Sequence, residues 1–283
     1  MAYELVAASK LASKRLFSTP CLRKQYIRQD GFDELKKISL RTVNKGSVHE
    51  HLSPNYDNME YFAEISVGTP PQTFTVILDT GSHLFWLPDS TCNAGSNQTT
   101  PCFGKKMFNQ SASTSYHNTK IVFDVEYGIG NSSGFIGNDT VQLGTPGESV
   151  FLIQNILFGQ TNLMDKSISE LQADGIFGLN MHKDEDGLRS PIMDALDQGL
   201  LEKPVFTVYL NSSYGADNYN KTNTGGAFTF GALDTDNCGP VIDWLDKIFD
   251  NNPHTMNSKA AIFPLENTQN EGKTILLWTA EVP

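Results

Sequence analysis

The amino-acid sequence predicts an all-β protein with a few short helices, and three features carry that expectation. The 23 glycines, 13 prolines and 17 phenylalanines among 283 residues suit a chain of many turns around an aromatic interior. Short apolar runs recur at Phe74 to Leu78, Lys120 to Tyr127 and Val150 to Phe158, each bounded nearby by Gly, Pro, Asn or Ser. Only one helix start is well marked, where Ser190 can cap, Pro191 suits the first helical position and Gly199 stands where a terminator would. At this length the chain can bury one large core or two modest ones. No apolar stretch approaches the ~20 residues that a spanning helix needs, so no membrane crossing is expected.

Taken from the N-terminus, the first division is one of charge. Residues 1–50 hold ten Lys/Arg and five Asp/Glu, which leaves 11 basic against 27 acidic residues for the remainder of a chain of net charge −11. The molecule reads as a basic arm on an acidic body. Such an arm by itself suits nucleic acid, an anionic membrane, or simple solvation.

Next comes the run Ile77-Leu78-Asp79-Thr80-Gly81-Ser82-His83, whose Asp-Thr-Gly triplet occurs once in the chain. A carboxylate delivered by an apolar strand into a Thr-Gly turn is placed for chemistry on water, because the strand fixes it and glycine lets a substrate backbone approach. One such carboxylate is half of an acid/base pair. Its flanks are distinctive. Tyr61-Phe62-Ala63-Glu64-Ile65-Ser66-Val67-Gly68-Thr69-Pro70-Pro71-Gln72-Thr73-Phe74 leads in and Leu84-Phe85-Trp86-Leu87-Pro88 leads out. Further blocks follow at Phe108 to Tyr116, Tyr127-Gly128-Ile129-Gly130 with Gly134, Asp139-Thr140-Val141, and Asp174-Gly175-Ile176-Phe177-Gly178-Leu179. The last are Gln198-Gly199-Leu200, Phe206 to Leu210, and Phe230-Gly231-Ala232-Leu233-Asp234.

In this order the blocks resemble the pepsin-like aspartic proteases, of nematode type, over about residues 60 to 244. The resemblance implies an acid protease fold with a complete N-terminal lobe and only the beginning of a C-terminal lobe. It divides the chain into a prosegment-like arm (1–55), the first lobe with its interlobe region (56–225), the start of the second lobe (226–244) and an unmatched tail (245–283). Leu22-Arg23-Lys24-Gln25-Tyr26-Ile27-Arg28 and Leu35-Lys36-Lys37 resemble the zymogen arm that covers the acidic cleft of the family, released when acid protonates its carboxylate partners. A solvated tail without that role is the plainer reading.

The implied chemistry is peptide hydrolysis by water held between two carboxylates. By resemblance Asp79 is one of them, Thr80 and Gly81 shape its turn, and the Ser82 hydroxyl bonds its outer oxygen. Tyr127 and Gly128 belong to the flap over the substrate, with the Trp86 indole as partner of the Tyr127 hydroxyl. Taken alone, Tyr127 and Trp86 read as half-buried aromatics. His83 replaces a small polar residue, and Asp174 is expected to be structural. The family also implies a Cys92–Cys102 disulfide, while Cys21 falls in the arm and Cys238 is left over. No metal or other cofactor is expected, since no His-x-x-x-His, CxxC, Walker or dinucleotide pattern occurs. Polypeptide substrates are the implied partners, with no nucleic acid and no membrane.

Six Asn-x-Ser/Thr triplets, at Asn97, Asn109, Asn131, Asn138, Asn211 and Asn220, favour a secretory route to the lysosome or outside the cell. Against it, Met1 to Lys10 lacks the apolar core of a signal peptide. The second aspartate is not found. Asp234 stands in an Asp-Thr-Asp turn and Glu281 in the unmatched tail, and neither suits the role. Three readings follow: an endopeptidase completed by a missing lobe or by a homodimer giving one Asp79 per chain, a non-catalytic peptide-binding or regulatory relative, and a fragment with no stable fold of its own.

Overall fold

The computed structural model describes residues 46–54, 60–92, 102–144, 150–181, 183–184, 187–211, 225–239, 243–246, 258–262 and 273–280. Residues 1–45, the sequons at Asn97 and Asn220, Ser212 and Ser213 of the Asn211 sequon, and most of the 245–283 tail lie outside them. Among the described residues there are fourteen strands: β1 Val48–His51, β2 Ser53–Pro54, β3 Tyr61–Val67, β4 Gln72–Asp79, β5 Trp86–Pro88, β6 His117–Tyr127, β7 Gly130–Leu143, β8 Phe151–Met164, β9 Gly175–Gly178, β10 Val205–Asn211, β11 Gly226–Phe230, β12 Asp243–Asp246, β13 Ser258–Ile262 and β14 Lys273–Ala280. The chain is all-β, as its composition and apolar runs predict. The three predicted runs fall in β4, β6 and β8, although β8 continues to Met164.

Alternation explains the inner strands. In β4, Phe74, Val76 and Leu78 are buried while Thr75 and Ile77 between them are half-buried, so one face serves the core. Eight strands form one sheet in the order β2-β3-β4-β9-β5-β8-β7-β6, and an added β3–β7 pairing folds it back on itself. Strand β4 sits inside, antiparallel to β3 and parallel to β9. Phe85 packs on Phe158 and Phe177 at ring centroids 5.4 and 5.1 Å apart, and Phe108 meets Phe158 edge-on at 5.3 Å. Each such ring contributes about 1.5–3 kcal/mol by leaving water.

Sequence blocks that stand far apart converge here. The buried Asp139 carboxylate accepts from the Ser113 and Ser115 hydroxyls at 2.7 and 2.6 Å, and Ser113 accepts from the Thr69 backbone N–H at 3.0 Å. Gly68, at φ +88°, lies so close that a Cβ would stand 2.8 Å from Ser113 Oγ. Glycine there is a packing requirement.

The second sheet has the order β1-β11-β10-β14-β13-β12. Residues 46–54 end the stretch that the resemblance gives to the arm, and here Val48 to His51 pair with Phe230 to Ala227. The Glu50 carboxylate is buried and accepts from the Gly144 and Glu64 backbone N–H groups at 2.8 and 3.2 Å. Burial pushes its carboxyl up to about 7.

The marked helix runs Pro191–Asp197, where Ser190 Oγ accepts from Ile192 N and also donates to the Gly178 carbonyl at 2.7 Å. Gly199 follows at φ +70°. A one-turn helix, Lys166–Ser169, was not predicted, being too short for a periodic signal. Among the described residues no helix is long and apolar enough to cross a membrane.

Cys92 and Cys102 form a disulfide across a separation of 10 residues, and both are buried. By closing so short a loop the bond contributes about 2–3 kcal/mol. The double substitution Cys92→Ser and Cys102→Ser is expected to lower the unfolding free energy by that amount, and the denaturant midpoint with it. Equal midpoints for the two proteins would contradict it.

Candidate active site

Strand β4 ends at Asp79 and the chain turns sharply. The turn is held by the aspartate itself, whose Oδ1 accepts from the Gly81 backbone N–H at 2.9 Å while Oδ2 accepts from Ser82 Oγ at 2.5 Å. Both oxygens therefore have donors, and the side chain is only 5% exposed. Thr80, half-buried, occupies the corner of the turn.

Strand β9 braces this turn from behind. Asp79 pairs with Gly178, the Leu179 N–H donates to the Asp79 carbonyl at 2.7 Å, and the Asn180 N–H donates to the Ser82 carbonyl at 2.9 Å. Both glycines of the Gly175-Ile176-Phe177-Gly178 strand are sterically obligatory. A Cβ on Gly175 would lie 2.2 Å from the Trp86 carbonyl oxygen, and one on Gly178 would lie 2.4 Å from the His83 carbonyl carbon. The sequence offers these glycines only through the family block, with no local signal that backbone presses on them. Asp174, just before them, is structural: its two oxygens accept from the Thr75 and Lys106 backbone N–H groups, each at 2.8 Å.

A hairpin carries the remaining residues. Strands β6 and β7 turn through Gly128-Ile129, with Tyr127 opposite Gly130. Trp86, at the start of β5, donates its indole N–H to the Tyr127 hydroxyl at 2.9 Å, and both side chains are buried. Burial pushes the Tyr127 phenol up. Trp86 with Tyr127 and Ser82 with Asp79 thus form two hydrogen-bonded pairs. Gly128 lies exposed at the hairpin tip. Beside the hairpin tip, the Asp165 carboxylate accepts from the Asn131 N–H at 2.8 Å.

Residues outside these pairs have other work. His83 Nε2 lies 3.5 Å from Asp184 Oδ2. Asp234 is buried at a turn, where it accepts from the Asp236 and Asn237 backbone N–H groups and from Asn237 Nδ2. Among the described residues no three His, Cys, Asp or Glu side chains gather as a metal site would require.

The model of the eukaryotic aspartyl protease family matches residues 60–261. The chain belongs to that family. The match reaches into residues 245–261, which the quoted blocks leave unmatched. Aspartyl protease relatives agree across wide distances. Aspartic protease 2 of Necator americanus is 35% identical over 237 residues, 72% of this chain and 55% of that protein. Vacuolar protease A of Aspergillus fumigatus is 34% identical over 209 residues, 74% and 48% of the two chains. Cathepsin E of Cavia porcellus is 31% identical over 228 residues, 79% and 54% respectively. The chain spans about half the length of the curated relatives it matches.

Proposed function

We propose that this chain supplies one carboxylate of an aspartic endopeptidase site and that Asp79 is that carboxylate. The observation that carries the reading is the Asp79 turn, in which a buried carboxylate at a strand end is oriented by Gly81 and Ser82 beneath the Tyr127 hairpin. Two facing carboxylates repel when both are charged, so they share a proton. The ionised one takes a proton from water, while the protonated one donates a hydrogen bond to the peptide carbonyl oxygen. Ser82 and Gly81 hold Asp79 at one orientation for this exchange. Trp86 steadies Tyr127 over the substrate, and Gly128 lets the flap backbone approach it.

The second carboxylate comes from a further Asp-Thr/Ser-Gly segment of a longer product or from Asp79 of a second copy. Substrates are polypeptides, and the basic arm acts as a zymogen segment. The six sequons, and relatives whose names place them in the vacuole or among the cathepsins, support a secretory route to lysosome or exterior and a glycosylated product. A second reading is a peptide-binding protein without turnover, favoured by the single Asp-Thr-Gly and by the local capping role of Asp234.

Cleavage of an unfolded protein in acid, measured against chain concentration, separates these. Activity rising with the square of concentration supports the two-copy site, and Asp79→Asn is expected to lower it by about 10³-fold or more. Capture of a statine-type inhibitor without cleavage supports the second reading. Activity unchanged in Asp79→Asn rejects Asp79 as the carboxylate.

A further inference from the structure

The secretory reading leaves open which asparagine bears sugar, and the fold distinguishes three candidates. Asn109 is exposed and opens the Asn109-Gln110-Ser111 triplet, with Ser111 exposed two residues on. Its side-chain Oδ1 accepts from the Ser111 backbone N–H at 3.1 Å, so the triplet already forms an Asx-turn. That turn brings the asparagine amide beside the hydroxyl that a transferase must recognise. Gln72 holds the backbone in place, accepting from the Asn109 N–H at 2.9 Å and donating to its carbonyl at 3.0 Å. No hydrogen bond engages Asn109 Nδ2, the atom that would carry the sugar, among the described residues.

The other two triplets are occupied differently. Asn131 Nδ2 donates to Asp124 Oδ1 at 2.7 Å, and the residue stands on the hairpin four positions after Tyr127. At Asn138 the N–H of Thr140, which the Asx-turn needs, is donated to Asp139 Oδ1 at 2.7 Å. Asn138 also lies mid-strand between His117 and Leu157. A sequon in a ladder must give up sheet pairing to form the turn, whereas Asn109 gives up nothing.

We propose that Asn109 is an N-glycosylation site of this protein, an inference that rests on the secretory reading above. A polyprenyl-diphosphate-linked oligosaccharide is the donor. The Asn109 Nδ2–sugar bond forms, the sugar–phosphate bond breaks, the lipid diphosphate leaves with its electron pair, and one Nδ2 proton passes to base. Gln72 and Asp79 open and close β4, which puts the glycan about 23 Å along the strand from the aspartate. Sugar at Asn109 therefore leaves inhibitor binding unchanged.

The test is secretion of the full chain behind a leader in a eukaryotic host, followed by enzymatic release of glycans in heavy-oxygen water and peptide mapping. The expected result is labelled aspartate at position 109. Two variants, Asn109→Asp, which keeps the cap, and Ser111→Ala, which keeps the asparagine, are each expected to remove one glycan from the mass while the protein is still secreted. Glycans found only at other asparagines overturn the inference and leave the secretory reading standing. A secreted chain with no glycan at any triplet overturns both.

Discussion

Gly178→Ala is expected to cost about 3 kcal/mol or more of stability, because the new methyl group meets backbone that no rotamer change can clear. The nearest atoms are the His83 carbonyl carbon at 2.4 Å, its oxygen at 2.7 Å and the Leu84 nitrogen at 2.7 Å. Relief requires β9 and the turn after Asp79 to separate. The Leu179–Asp79 and Asn180–Ser82 hydrogen bonds then lengthen, and the Asp79 carboxylate loses its fixed orientation. Affinity for a statine-type inhibitor should therefore fall even in solution conditions where the variant remains folded. Gly46→Ala serves as the control, since no atom lies within 4 Å of its added Cβ and its φ is not in the left-handed range. Denaturant unfolding of the two variants side by side gives the measurement. Equal midpoints would mean that the close approach of β9 to the turn is not what glycine is there to permit.

Raising the pH from about 4.5 to 7 is expected to remove about 3 kcal/mol of stability through Glu50 alone. The sign follows from where the proton binds. In the folded chain the Glu50 carboxyl is pushed from 4.5 up to about 7, chiefly by burial, with the Glu64 charge adding to it and the two backbone N–H donors opposing. Between those values the folded state holds a proton that the unfolded state has released, so stability is full below about 4.5 and declines as pH rises to about 7. Glu50→Gln lacks this titration. Its amide leaves one backbone donor facing an N–H group, a pH-independent cost of about 1–2 kcal/mol. The stability difference between the two proteins, measured by denaturant unfolding at several pH values, should favour the native residue most in acid and shrink or reverse by neutrality. A difference that stays constant with pH would show that Glu50 does not titrate in this range.

Glu50 also illustrates where the sequence was legible. Val48, Glu50 and Leu52 alternate and are all buried, so the period-2 pattern was present but was hidden by a carboxylate and two flanking histidines that read as surface. The same polar disguise shortened the reading of β8, where the buried Gln160 and Thr161 end the apolar run while the strand continues to Met164. In contrast, β4 and its turn were plain, since buried and half-buried side chains alternate along β4 and the turn residues Thr80 and Gly81 follow directly. For the site, the positions of Asp79, Ser82, Trp86 and Tyr127 came from the order of the blocks. What local residues could not supply was depth: the bracing of Asp79 by Gly178 joins positions whose contact depends on the parallel β4–β9 pairing. Asp174 and Asp139 are comparable, because their backbone and hydroxyl donors arrive from strands and loops distant in the chain.

The pairing of β1 with β11 sets an order of assembly during synthesis. His49 Nδ1 and Thr229 Oγ1 meet across a separation of 180 residues, so β1, the first of the described strands to leave the ribosome, lacks its β11 partner until Gly226 to Phe230 have emerged. Contacts of such span make closure slow and late, because the loop entropy is lost before the strand pairing returns anything. Until then Glu50 remains in water with an ordinary carboxyl, and the strand that carries the basic arm is unanchored. A nascent chain halted before Gly226 should accordingly leave Val48 to His51 open to proteases, and one extended past Phe230 should protect them.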